Sequence, residues 1–150
     1  MNIEQAQNAA VLTYLSRGRP EAPVFAAWNS IENAYYRCGC HPEIVERLWD
    51  QIGPAFPTDC RCLVRSIPTL AHSQSGVILA IGIGTQYGLR LPPPCATEAI
   101  QAGAKTTTRW SGGGEMNIQR ELGEDWFFGG WMKGELEWCR EVYRMFQSDD

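Results

Sequence analysis

Midway along this chain, apolar residues recur with the period of a strand. From Val77 the alternate residues read Val77, Leu79, Ile81, Ile83, Thr85, Tyr87, Leu89 and Leu91. The intervening ones read Ile78, Ala80, Gly82, Gly84, Gln86, Gly88 and Arg90. Alternate side chains of a strand point to opposite faces. The pattern predicts one long bent strand, or two strands joined without loss of register. One face would be an almost unbroken apolar row, and the other small, ending in Gln86 and Arg90. Glycines on one strand face let another element or an aromatic ring approach the backbone. Upstream, residues 60–70 hold β-prone Cys62, Leu63, Val64 and Ile67, and Pro68 marks an edge or a bend. With a turn over residues 72–76, the expectation is a hairpin of 61–71 with 77–84, extended by 86–91.

On either side the spacing turns helical. A first helix is expected over residues 3–16, with Ile3, Ala6, Ala9, Ala10, Thr13 and Tyr14 on one face. A second is expected from about Pro20 or Pro23 to Cys38, through Phe25, Trp28, Ile31 and Tyr35. A third runs over 42–52, with the stripe Ile44, Val45, Leu48, Trp49 and Ile52, and makes a helical hairpin with the second. Residues 95–104 suggest a short helix. Residues 106–110 and 115–118 suggest two strands around the turn Ser111-Gly112-Gly113-Gly114. The last helix is expected to carry Trp131, Trp138, Val142 and Met145 near one stripe.

Together these elements predict an α+β fold, with N-terminal helices and a C-terminal helix packed on a mostly antiparallel central sheet. A core of Trp28, Ile31, Leu48, Trp49, Leu79, Ile81, Ile83, Leu89, Trp138 and Val142 follows from the same periodicities. No repeat or linker divides the 150 residues, so one domain is expected over 1–150. A chain of that length can bury a core without staples.

Composition narrows the function classes. The net charge of −4, with no basic run longer than two residues, argues against a nucleic-acid partner. No stretch is long and apolar enough to span a bilayer, and the start Met-Asn-Ile-Glu lacks a leader pattern. A cytoplasmic location without membrane association is therefore expected, with the six cysteines mostly reduced.

Candidate chemistry is sparse. The glycines are spaced G-x-G-x-x-x-G and run into Pro92-Pro93-Pro94, so no helix follows to receive a phosphate. Cys38, Cys40, Cys60 and Cys62 form two C-x-C pairs, and His41 could replace one thiolate around zinc. Zinc sites usually place two to four residues between paired ligands, so no metal and no cofactor is expected. A Cys–His nucleophile would have to use Cys60, Cys62 or Cys95 with His41 or His72, and His72 reads as a solvated turn residue. Glu121, Glu124 and Asp125 read as acids interacting with a helix dipole.

The remaining constellation is aromatic. Six tryptophans are a heavy load, and Trp110, Trp126 and Trp131 crowd the last third. With Arg90 and Arg109 they could line a cleft that grips a ligand or an acidic partner segment. Trp138 and Phe128 read instead as core. The expectation is a small non-enzymatic binding protein acting through a protein partner; an immunity-type antagonist of a toxin has these traits. The alternatives are a small enzyme with a cysteine/histidine or acidic site in an aromatic cleft, and a zinc-stabilised interaction module.

Overall fold

The computed structural model describes residues 2–18, 20–29, 40–109 and 114–146. Its centre is a six-stranded antiparallel sheet in which neighbours in space are neighbours in the chain: β1 (Ala26–Ala27), β2 (Arg61–Val64), β3 (Ile67–Ala71), β4 (Ile78–Ile83), β5 (Gln86–Arg90) and, after a long excursion, β8 (Trp126–Phe128). The excursion holds α3 (Cys95–Gln101), a two-stranded ribbon of β6 (Thr107–Arg109) with β7 (Glu115–Asn117), and α4 (Ile118–Leu122). The other helices are α1 (Ala9–Gly18), α2 (Pro42–Glu46) and α5 (Glu135–Met145). The expected α+β class, with helices packed on the sheet, is what forms.

Helices cover both faces of the sheet. On the first face, Leu63, Leu70, Ala80, Tyr87, Leu89 and Phe127 meet Val45, Leu48, Trp49, Trp138, Cys139 and Val142. On the second face, Cys62, Val64, Ile78, Ile81, Ile83, Trp126 and Phe128 meet Val11, Leu15, Met116, Ile118 and Leu122. This corrects the expectation of one apolar and one small face. Two features redistribute the row. Ile83 pairs with Gln86 across a two-residue turn, so odd residues of β4 share a face with even residues of β5. Gly84, at φ 60°, makes that turn possible. A bulge shifts the register between Leu70 and Ala71, whose partners are Ala80 and Ile78. Leu79 thereby joins Ala80 on the first face.

Residues 61–71 are likewise two strands rather than one. They are joined at Arg65 (φ 50°) and Ser66 (φ 66°), two residues that rarely adopt this conformation. The turn is held from outside. The Arg65 guanidinium donates to the carbonyls of Pro20 and Ala22 at 2.8 and 2.7 Å, and the Arg65 backbone N–H donates to the Pro23 carbonyl at 3.1 Å. Ser75 to Val77 then enter β4 through Gly76 (φ 80°), next to Asn8. Asn8 is buried. Its amide donates to the carbonyls of Ile3 and Gly76, and its oxygen accepts the Ile78 N–H, each at 2.8 Å.

The helices depart from expectation at the N-terminus. A single 3-10 turn, Ala6–Asn8, precedes α1, and the buried residues are Ile3, Asn8, Val11 and Leu15. Ala6, Ala9, Ala10 and Thr13 are exposed. Residues 20–29 form no helix: they hold β1, and Trp28 packs half-buried against the core beside Trp49, ring centres 6.0 Å apart. The rest of the expected second helix, including Ile31, Tyr35 and Cys38, lies outside the described residues. The third helix appears as α2 continued by a wider π-helical turn, Arg47–Ile52, and its whole stripe is buried. His41 caps it, accepting the Glu43 N–H on Nδ1 at 3.2 Å, with Pro42 in the first turn. Leu48, Trp49, Leu79, Ile81, Ile83, Leu89, Trp138 and Val142 are all buried as expected. No helix among the described residues is long and apolar enough to cross a membrane.

Candidate functional site

A concavity opens at the β8 end of the sheet. It is an open cleft of about 710 Å³. One wall is the loop from Phe128 to Met132, including Trp131. The lining also takes in Thr107, Thr108 and Arg109 of the ribbon, with Glu115, Gln86 and residues 102–105.

A buried polar knot sets the Trp131 wall. Gly129 lies against the ring of Tyr87, where an added Cβ would overlap the ring itself. The Tyr87 hydroxyl donates to Glu135 Oε1 at 2.7 Å and accepts the Trp131 N–H at 2.8 Å. Glu135 is 1% exposed and also receives Arg47 Nη2 at 2.7 Å and the Gly130 N–H at 3.2 Å. Burial, with Glu135 beside it, pushes the Tyr87 hydroxyl well above its usual range, so it stays a neutral donor. Burial opposes the Arg47 charge, but hydrogen bonds to Tyr87 and Glu135 outweigh it and hold the guanidinium above its ordinary value. The knot spans three elements distant in sequence: the π turn, β5 and the start of α5.

Above the knot stands Trp131. It lies ahead of α5 rather than on its stripe; its φ is 58°, a conformation costly for a bulky side chain, and the residue is 52% exposed. The ring packs edge-on to Tyr87, centres 5.1 Å apart, and the Arg47 guanidinium lies 5.6 Å from its centre. The result is a tryptophan fixed in place yet open to solvent.

Of the five aromatic and basic candidates, the structure brings Arg109 and Trp131 together in this cleft. Arg109 has 86% of its side chain exposed and, among the described residues, a loose ion pair with Glu115 at 3.9 Å. Trp110 lies outside the described residues. Arg90 and Trp126 belong to another place. Arg90 is buried and donates to the carbonyls of Ile78 (2.7 Å) and Gln7 (3.2 Å) and to Asp125 (3.4 Å). Its guanidinium lies 5.1 Å from the Trp126 ring centre and 5.8 Å from that of Phe146. It ties the N-terminal turn to the sheet, and burial lowers its pKa. Trp126 is fully buried, so it presents nothing to a ligand. Phe128 and Trp138 are core, as expected, with the Trp138 indole donating to Glu98 at 2.8 Å.

The cysteines give no metal cage among the described residues. Cys60 ends the 3-10 turn before β2 and packs with the first face, while Cys62 packs with the second. Cys40 instead packs on Gly82, beside Pro68, and Cys38 lies outside the described residues. Burial pushes the Cys60 thiol up to about 11 and the Cys62 thiol up to about 12, far from the thiolate that catalysis needs. His72 is not solvated but fully buried, stacked on Tyr143 with centres 4.2 Å apart. Its Nδ1 accepts the N–H groups of Gln74 and Ser75 at 3.1 and 3.2 Å, so it acts as the clasp of the β3–β4 turn. The acidic trio is divided: Glu121 pairs with Arg17 at 2.8 Å and Asp125 with Arg90 at 3.4 Å.

Sequence reasoning picked out Trp131 and Arg109 but not Tyr87, Glu135, Arg47 or Lys105. Glu135 carried little signal, since an acid in a helix first turn is ordinary; its bond to the Gly130 N–H, five residues back, appears only in the folded chain. No known family profile matches the chain, and neither a curated protein nor a solved structure is significantly similar to it.

Proposed function

We propose that this chain is a non-enzymatic binding protein working in the cytoplasm through a protein partner, and that its contact surface is the cleft beside Trp131. An immunity-type antagonist, which covers a functional surface of a toxin, is the specific form of this reading. One observation carries it: an exposed tryptophan held in a strained backbone conformation by a buried hydrogen-bond knot. Tryptophan is the residue most enriched among binding hot spots. Fixing its position beforehand removes much of the ordering cost of association. Strain of this kind persists where the surrounding structure enforces it, and it clusters at functional sites. The thiols of Cys60, Cys62, Cys95 and Cys139, raised and buried, lend no support to cysteine chemistry.

The test is native mass spectrometry of the tagged chain recovered gently from its own host, in parallel with Trp131→Asn. Asparagine tolerates the left-handed conformation, so this variant removes the ring and keeps the backbone. A stoichiometric polypeptide recovered with the parent chain and lost with Trp131→Asn, at unchanged melting temperature, is the expected result. A bare parent chain, or a partner retained equally by the variant, overturns the proposal.

A further inference from the structure

Among the described residues, the ribbon strand that lines the cleft together with Trp131 has a free edge. In the ribbon, Thr107 pairs with Asn117, Thr108 with Met116 and Arg109 with Glu115. The Ile118 N–H donates to the Thr106 carbonyl at 2.8 Å, which fixes the phase of the ladder. In an antiparallel pair, hydrogen-bonded and non-hydrogen-bonded positions alternate. Thr106 and Thr108 therefore spend their backbone groups on β7, and Thr107 and Arg109 turn theirs away from it. Among the described residues nothing takes up these outward N–H and C=O groups. The strand next to this stretch, β8, meets it only once, where the Phe128 N–H donates to the Lys105 carbonyl at 2.8 Å before the chain bends at Thr106.

That edge faces the cleft. Thr107, Thr108 and Arg109 line it in succession, and the Lys105–Phe128 bridge sets this stretch beside β8, whose following residues Gly129 and Gly130 line the cleft as well. The charge on the lining runs against that of the molecule. In a chain of net charge −4, the charged residues of the cleft are Lys105 and Arg109 against Glu115 alone. Both cations are exposed, and the Arg109–Glu115 pair is too long and too open to neutralise either partner.

Resting on the reading of the cleft as a protein-binding surface, we propose that the partner enters it as an extended acidic segment that adds to the edge of β6. Its backbone takes up the outward groups of Thr107 and Arg109, its carboxylates meet Lys105 and Arg109, and its outer side chains rest on Trp131. Exposed strand edges are templates for such pairing, with backbone bonds giving affinity and alternate side chains giving selectivity.

The probe is a phage-displayed random dodecapeptide library panned against the full chain, followed by anisotropy titration of the selected peptides. The expected consensus is acidic, with apolar residues alternating. N-methylation at amides of one parity should weaken binding about tenfold or more, roughly 1.4 kcal/mol, and at the other parity should do little. Thr107→Pro removes an outward N–H that β7 does not use and should weaken binding similarly. Lys105→Glu with Arg109→Glu should reverse the charge preference. The methylation series keeps the test decisive even if Thr107→Pro fails to fold. A basic or purely apolar consensus, no selected peptide, or equal response to both methylation parities overturns strand addition. So does dimerisation abolished by Thr107→Pro, which would assign the edge to a second copy. If the host partner depends on Trp131 while the parities behave alike, strand addition fails and the cleft reading stands. If Trp131→Asn leaves the host partner bound, the cleft reading itself fails.

Discussion

Gly129 and Gly130 are adjacent, yet the structure predicts opposite outcomes for the same substitution. A Cβ on Gly129 would overlap Cε2, Cδ2 and Cζ of Tyr87. To restore ordinary contact the ring would have to move on the order of 2 Å. Tyr87 is fully buried and cannot yield by swinging into solvent. Moving it overpacks the core, which costs about 1–3 kcal/mol. It also breaks the hydroxyl's bond to the Glu135 carboxylate, and hydrogen bonds to charged groups are worth about 1.5–3 kcal/mol. Gly129→Ala should therefore destabilise by about 3–5 kcal/mol, which for a chain of this size is a fall in melting temperature of about 10 °C. A Cβ on Gly130 meets nothing within 4 Å. Gly130→Ala should be neutral or stabilise by about 0.4–1 kcal/mol through the unfolded chain. Urea unfolding of the parent and both variants, followed by tryptophan fluorescence, measures the difference. Equal midpoints for Gly129→Ala and the parent would refute the knot as the support of the Trp131 wall. A large loss in Gly130→Ala would place the constraint in the wrong residue.

Other outcomes follow from the same geometry. Arg47→Leu leaves the Glu135 carboxylate buried without its cation and should cost about 3–5 kcal/mol; adding Glu135→Gln should recover part of that loss in the same urea assay. Burial lowers the pKa of His72 below its ordinary value of 6.5. The unfolded chain then takes up a proton that the folded chain refuses, so the stability His72 contributes is present above about pH 6.5 and is lost as pH falls toward the folded value. His72→Gln should flatten the denaturation midpoint over that interval, and an unchanged slope would count against the clasp. At about pH 8, the buried Cys60, Cys62, Cys95 and Cys139 should resist iodoacetamide in the native chain and react on denaturation, as mapped by peptide mass spectrometry; prompt native labelling of Cys62 would contradict its place beneath the sheet.

Much of the secondary structure could be read locally. The stripe over 42–52, the helix at Cys95–Gln101, the 107–109 and 115–117 ribbon and the last helix each carry their own period or turn chemistry. The candidate cleft was half legible. An aromatic-rich segment with Gly129-Gly130 pointed to Trp131, while Arg90 and Trp126 looked equally available and proved buried. Nothing local distinguishes an arginine at the end of a strand from one whose guanidinium meets Ile78, Gln7 and Asp125 across the fold. The Arg65-Ser66 turn escaped notice because its residues lack the usual turn chemistry, and the turn is held instead by carbonyls from residues 20–23.

By itself, then, the sequence determined the β-rich middle, the helical flanks and most buried positions, because apolar periodicity is a property of each segment alone. The tertiary structure decided which face each residue occupies. Alternation assigns faces only within one uninterrupted strand, and here a two-residue turn and a bulge each reset it. It also decided the cleft. Tyr87, Glu135 and Arg47 come from three separate segments, and only chain folding brings a buried acid, a phenol and a guanidinium within hydrogen-bond reach to hold a tryptophan in the open.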